Sequence, residues 1–348
     1  MDIKSYGWNE YFEREWKQNA AEGLFPGRVV ADYGQMLRVV SESGEILVNR
    51  PLMRYDNNLQ VAVGDWVGVE NSSRDQSQCI RFVLPRRTKF SRAAAGIEVK
   101  EQIVAANVDT VFLTQSLNRD FNMKRLERYM IAAWESGAVP VVVLTKADCC
   151  DNTADKMSAV YVTAPGAEVH AVSCVTGDGI EALRKYFMPG KTIALLGSSG
   201  VGKSTLVNTL VGKEILRTQE IREDDRGRHT TTHRELVLLP DGGLILDTPG
   251  MRTLSLWEAD TGMEVMFGDV EELTRLCRFS DCKHESEPGC AVREALETGK
   301  LEIKRWESWL KLQKELAHLE AKKEGKMREA ERQWGKQIAK LKKQLGKR

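Results

Sequence analysis

The sequence predicts a multidomain chain: a small β-barrel of the oligonucleotide-binding type, then a doubly wound α/β domain, then a cysteine-rich segment with helices. Three observations predict it. From Gly27 to about Pro85 the chain breaks into five short alternating strands separated by turn signals such as Asp32-Tyr33-Gly34 and Ser43-Gly44. From Val108 onward, buried apolar strands alternate with amphipathic helices. The seven cysteines are too few and too clustered for a secreted disulfide framework, and three of them fall, with a histidine, between Cys277 and Cys290.

Size and charge agree with this. A chain of 348 residues with 42% hydrophobic content can bury more than one core. No apolar run approaches the ~20 residues that cross a bilayer. Met1 to Trp16 mixes Asp, Lys and Glu without an apolar signal core. The expectation is a soluble cytoplasmic protein without a membrane partner, a monomer by default. The net charge of +1 hides an asymmetry: residues 300–348 hold 12 Lys and 4 Arg against 7 Glu. A basic end on an acidic body suits a polyanionic partner.

Taken in order, residues 1–23 are a charged, partly helical lead with Trp8 and Trp16, read as a surface helix. Residues 24–90 form the expected barrel, with strands over Arg28–Ala31, Met36–Val40, Glu45–Val48, Val61–Glu70 and Gln78–Val83. Arg28, Arg38, Arg50, Arg54, Arg81, Arg86 and Arg87 are its candidates for RNA phosphate contacts. Residues 91–262 make the α/β domain. Val108–Thr114 is a strand, and Asn122 caps a helix that runs through Trp134 and stops at Gly137. Strands over Val139–Thr145 and Val169–Ser173, a helix over Ile180–Phe187, and strands over Thr192–Leu196, Glu235–Leu239 and Leu244–Asp247 complete a sheet with its ligand at the strands' carboxyl ends. Residues 263–325 are the cysteine-rich helical segment, and 326–348 a basic tail in which helical amphipathicity fades after Glu324-Gly325.

The chemistry concentrates in three motifs. Gly197-Ser198-Ser199-Gly200-Val201-Gly202-Lys203-Ser204-Thr205 fits the phosphate-loop pattern G-x-x-x-x-G-K-[ST], and it lies between an apolar strand and a helix that ends near Gly212. Glycines let backbone N–H groups face a polyphosphate, Lys203 brings a point charge to the β and γ phosphates, and the Ser204 hydroxyl is placed for Mg²⁺. Asp247-Thr248-Pro249-Gly250 ends a strand, offering a carboxylate toward Mg²⁺ and the Gly250 N–H toward the γ-phosphate. Thr145-Lys146-Ala147-Asp148 follows an apolar strand and resembles the N/T-K-x-D base-reading motif of GTPases, with Ser173-Cys174 next in line. A carboxylate at Asp148 accepts from guanine N1–H and its N2 amine, donors that adenine lacks. An ATPase with a chance Thr-Lys-Ala-Asp is the competing reading.

Ordinary GTPases carry the phosphate loop first and the base motif late. Here the order is inverted, so the domain is expected to be a circularly permuted P-loop GTPase domain. The polar run Asp225 to His233 reads as a switch loop, with Thr231 completing the Mg²⁺ shell only beside a γ-phosphate. Met251 stands where Ras-like enzymes carry a water-orienting Gln, which predicts slow intrinsic turnover and makes His229 the candidate to place the water. Cys277, Cys282, His284 and Cys290 supply three thiolates and an imidazole, the donors of one closed structural zinc site. Cys79, Cys149, Cys150 and Cys174 show no ligand spacing and are read as packing residues.

These motifs, together with Gly227-Arg228-His229-Thr230-Thr231-Thr232 and Cys277-Arg278-Phe279-Ser280-Asp281-Cys282-Lys283-His284, resemble the ribosome small-subunit-dependent GTPase A family. The likeness runs from the barrel through the zinc segment. It implies GTP hydrolysis stimulated by the small ribosomal subunit, rRNA as partner, and a role late in that subunit's maturation. The rival of another class is a nucleotide-gated RNA-binding module acting on another structured RNA.

Overall fold

A computed structural model of the chain describes residues 1–50, 59–71, 78–94, 100–118, 120–214, 234–247 and 257–345. Arg54, the Asp225–His233 run, Gly250 and Met251 lie outside the described residues, and Asp247 is described by its backbone alone. The chain divides into two compact units. One comprises residues 1–92, 102–255 and 260–266; the other comprises 93–101, 256–259 and 267–348.

The first unit opens with α1 (Glu10–Asn19), whose N-cap Asn9 accepts from the N–H groups of Tyr11 and Phe12. The lead is no free surface helix. Trp8 and Phe12 pack on the fully buried Trp66, with ring centroids 4.8 and 5.7 Å away, and Trp16 stacks on Phe82 at 5.8 Å. Aromatic area of this size is worth burying, so the lead becomes part of the barrel.

The barrel strands are β1 (Leu24–Asp32), β2 (Met36–Ser41), β3 (Gly44–Asn49), β4 (Trp66–Asn71) and β5 (Gln78–Val83). They pair in the order β1-β2-β3-β5-β4 and close through β1 with β4, the only parallel contact among these five being β3 with β5. Inward-facing Val29, Leu37, Val39, Val48, Val67, Val69 and Ile80 fill the interior. The fourth strand starts at Trp66 rather than Val61. Gly64 takes φ +95°, and the buried Asp65 carboxylate accepts from the Ala62 N–H at 2.8 Å, so the chain turns there.

After the two-stranded pair β6 (Lys89–Ala93) and β7 (Glu101–Ala106) come β8 (Thr110–Ser116), α2 (Met123–Ser136), β9 (Val139–Thr145), α3 (Thr153–Thr163), β10 (Glu168–Ala171), β11 (Thr192–Leu196), α4 (Lys203–Val211), β12 (Arg234–Leu238) and β13 (Leu244–Asp247). The strand order is β10-β9-β8-β11-β13-β12; all are parallel except β12. Asn122 caps α2 by accepting from the Arg125 N–H at 3.1 Å, and Gly137 ends it at φ +81°. Residues 181–186 wind as a 3₁₀ helix instead of an α-helix. β12 also pairs with β1, Ala31 opposite Glu235 and Asp32 opposite Arg234, so barrel and sheet form one continuous ladder.

Arg28, one of the expected RNA contacts, is 2% exposed. Its guanidinium donates to the carbonyls of Tyr6, Gly64 and Asn107 and to the Thr192 hydroxyl, and it lies 5.6 Å from the Trp66 ring. Burial pulls its pKa down to about 10. Arg38, Arg50, Arg81, Arg86 and Arg87 are ion-paired with Glu235, Asp32, Glu70, Asp65 and Asp109. Arg28→Met would leave several buried acceptors short of a donor, at about 1–3 kcal/mol each, partly offset by removal of a desolvated cation. A net loss of about 2–4 kcal/mol is expected, read as a lower urea midpoint.

The second unit contains the later part of α5 (Asp260–Arg275), which kinks at Phe267, then α6 (Ala291–Glu297) and α7 (Ile303–Leu345). The last helix runs through Gly325 into the expected tail. One glycine costs about 1 kcal/mol, while the Ala, Lys, Glu, Arg and Leu around it are strong helix formers. No helix among the described residues is long and apolar enough to cross a membrane.

Candidate nucleotide site and metal centre

Because β8, β9, β10, β11 and β13 are parallel, the segments leaving them emerge at one edge of the sheet. The phosphate loop follows β11, Thr145 to Asp148 follow β9, Ser173-Cys174 follow β10, and Asp247 ends β13. Segments far apart in sequence are thereby brought into direct contact. The Thr145 hydroxyl donates to the Val201 carbonyl at 2.5 Å, and Lys146 Nζ donates to the Gly200 carbonyl at 2.9 Å.

The loop's backbone is that of a cradle. Gly197, Gly200 and Gly202 all have positive φ, and a Cβ on Gly197 would meet the Thr114 carbonyl at 2.4 Å. Gly202 is the N-cap of α4 and provides no side-chain cap, so the helix's first N–H groups are left for an anion. Lys203 Nζ donates to the carbonyls of Gly197 and Ser198 at 2.8 and 2.6 Å. Ser204 sits in the first turn of α4, with Thr205 exposed beside it.

Lys146 adopts φ +58° and Ala147 to Cys149 form a single 3₁₀ turn, which presents Asp148 at the surface. Its Oδ1 accepts from the Ser173 hydroxyl at 2.6 Å and its Oδ2 from the Cys149 thiol at 3.2 Å. Those bonds, Ser173 foremost, hold the carboxyl below its ordinary pKa and keep it an acceptor. Ser173 is itself fixed, accepting from the N–H groups of Val175 and Thr176. Cys174 is half-buried against the core of the α/β sheet, whereas Cys149 is exposed, a departure from the packing role expected of it. The 3₁₀ turn carries Cys149 outward.

Sequence reasoning missed Arg125. Its guanidinium bonds the Ser198 hydroxyl of the phosphate loop and both carboxylate oxygens of Asp120, the latter at 2.9 and 3.1 Å. An arginine within an amphipathic helix gives no sequence signal of such a contact.

In the second unit, the donor atoms of Cys277, Cys282, His284 and Cys290 all lie within 4.8 Å of one another. Cys277 Sγ is 3.9 Å from Cys290 Sγ, and both are 3.5 Å from His284 Nδ1. Metal–sulfur bonds of about 2.3 Å in a tetrahedron give a sulfur–sulfur edge of about 3.8 Å, so the donors fit one ion. His284 reaches in from φ +62°, and its ring packs edge-on against Trp306 at 5.3 Å. Glu287 clasps the intervening loop. The N–H groups of Lys283, Ser286 and Glu285 donate to its carboxylate at 2.9, 3.0 and 3.0 Å and, with its own N–H, bring its pKa down to about 2.

A depressed carboxyl pKa means that the clasp's contribution is complete above the ordinary value of 4.5 and disappears as pH falls through about 2. Glu287→Gln is therefore expected to release metal to a chromogenic chelator faster than wild type. The ratio of the two rates should stay constant from about pH 8 to about pH 5, where the clasp does not titrate.

A family model described as RsgA GTPase matches residues 83–257. The chain belongs to the RsgA GTPase family. Small ribosomal subunit biogenesis GTPase RsgA 1 from Listeria innocua is 44% identical over 345 residues, covering 98% of this chain and 96% of the relative. The RsgA of Opitutus terrae is 42% identical over 352 residues, covering 97% and 96%. Among solved structures, YjeQ from Thermotoga maritima superposes with a TM-score of 0.60 at 29% identity, covering 84% of this chain and 99% of that one. YloQ, a circularly permuted GTPase, gives 0.56 at 22% identity, covering 86% and 97%, and bears on the fold alone. As an RsgA GTPase the chain is a GTP-hydrolysing enzyme with a permuted nucleotide domain.

Proposed function

We propose that this enzyme acts in late maturation of the small ribosomal subunit in the cytoplasm, binding the subunit's rRNA as a monomer and turning over GTP faster when the subunit is present. The observation that carries the reading is the contact of Thr145 and Lys146 with Val201 and Gly200, in a chain whose full-length relatives bear that name. In this reading Asp148 selects guanine and Ser173 orients it. Lys203 and the first N–H groups of α4 hold the β and γ phosphates and stabilise charge on the transferring phosphoryl group. Ser204, Asp247 and Thr231 hold Mg²⁺; the fit rests on Ser204 lying in the first turn of α4 and on Asp247 ending β13, the strand paired with β11. The ion neutralises phosphate charge when bound. His229 orients the attacking water, and Met251 in the usual glutamine position keeps intrinsic turnover slow. The Cys277, Cys282, His284 and Cys290 cluster holds one structural zinc, every coordination position being filled by protein.

Phosphate release with and without purified small subunits, with Lys203→Ala as control, tests this reading. Stimulation of wild type and none of the variant is expected; equal turnover with and without subunits would remove the ribosomal partner. Sedimentation with subunits in GDP and in a non-hydrolysable GTP analogue then tests the nucleotide-gated alternative, which identical binding in both would remove.

A further inference from the structure

We infer that Arg125 is a positioning residue for the phosphate loop, acting through the side chain of Ser198. The inference rests on the reading of Gly197 to Thr205 as the site of the nucleotide's phosphates.

Ser198 is held from two directions. Its carbonyl takes the Lys203 ammonium at 2.6 Å, and its hydroxyl is bonded by Arg125 Nη1. Arg125 is anchored in turn. Asp120 receives Nη1 on both carboxylate oxygens and Nη2 on its carbonyl at 3.3 Å. The start of α2 is fixed to the end of β8, because Gln115 accepts from the Asn122 N–H at 2.9 Å and donates to the Asn122 carbonyl at 3.0 Å. The ends of β8 and β9 are tied by the Leu117 N–H donating to the Thr145 carbonyl at 2.9 Å, and the Thr145 hydroxyl lies 3.3 Å from the Gln115 carbonyl. The strut therefore runs from the base-motif strand end through Gln115 and α2 to the second residue of the phosphate loop.

Asp120 balances the arginine's charge, so little net attraction for phosphate is left in the pair. What the arrangement supplies is geometry. A glycine-rich loop with three positive-φ residues has many backbone conformations when untethered, and only those with N–H groups converging bind phosphate well. Fixing Ser198 from α2 removes part of that ordering cost before the ligand arrives. The effect is shared by ground state and transition state, so it belongs mainly in affinity rather than in the chemical step.

The test uses the full-length chain and four variants: Arg125→Gln, Arg125→Lys, Ser198→Ala, and Arg125→Gln with Ser198→Ala. Dissociation constants for a fluorescent GDP and KM and kcat for GTP are measured, with thermal unfolding as a folding check. Arg125→Gln and Ser198→Ala should each weaken binding about tenfold, with kcat falling no more than about twofold. The double variant should be no weaker than the worse single one, since both changes remove the same bond. Arg125→Lys keeps the charge without the planar fork and should fall between. Unchanged affinity in Arg125→Gln, or losses that multiply in the double variant, would overturn the inference. If Arg125→Gln fails to fold, Ser198→Ala alone decides: unchanged affinity refutes the strut. Wild type that binds no guanine nucleotide would instead refute the reading of the phosphate loop.

Discussion

Asp148→Asn is expected to exchange guanine for xanthine. Guanine presents two donors, N1–H and the N2 amine, to the two oxygens of a carboxylate; xanthine replaces the amine with a carbonyl, which needs a donor. The asparagine amide supplies one acceptor and one donor and matches xanthine. Ser173 can go on donating to the retained oxygen, at the 2.6 Å position it occupies in wild type, so the variant keeps its orientation. Sites that read a base through such bonds discriminate by roughly 10⁴, so a fall of about a thousandfold or more in GDP affinity with a gain for xanthosine diphosphate is the expected result of a fluorescence titration. Guanine affinity within about threefold of wild type would show that Asp148 does not touch the base.

The second large effect concerns the metal centre. Cys290 is 5% exposed, touches the positions of both Cys277 and His284, and caps α6 by accepting from the Arg293 N–H at 3.4 Å. Structural zinc contributes on the order of 10–16 kcal/mol of apparent binding free energy in small sites, far more than the sparse apolar packing of this loop. Cys290→Ser should therefore purify with close to no zinc, against an expected content of about one per chain for wild type. Limited proteolysis should then cut between Cys277 and Glu297. Metal content equal to wild type would remove Cys290 from the ligand set. The proposed guanine nucleotide site lies in residues of the other compact unit, and its binding is expected to survive.

What the sequence revealed were features with a local cause. The Asn122 cap, the stops at Gly137 and Gly212, the alternation of the barrel strands and the spacing of the three nucleotide motifs can each be read from a few neighbouring residues. What stayed hidden depended on partners far away in the chain. Arg28 looks like any surface arginine until the fold brings Gly64, Asn107 and Thr192 around it. Trp8 and Trp16 look like surface residues of a short helix until Trp66 and Phe82 arrive beneath them. Arg125 acquires its meaning only when α2 is laid beside the phosphate loop. The helix beyond Gly325 persisted because the sum of many favourable propensities outweighed one unfavourable residue.

The pairing of β1 with β12 makes the two halves of the first unit mechanically inseparable. β12 is laced on one side to β13, which ends at Asp247, and on the other to the opening strand of the barrel, with the Arg38–Glu235 ion pair riveting the seam. Any tug on β12 is thus delivered to both neighbours at once, and a macromolecule gripping the barrel would have its hand on the same lever that reaches the nucleotide edge.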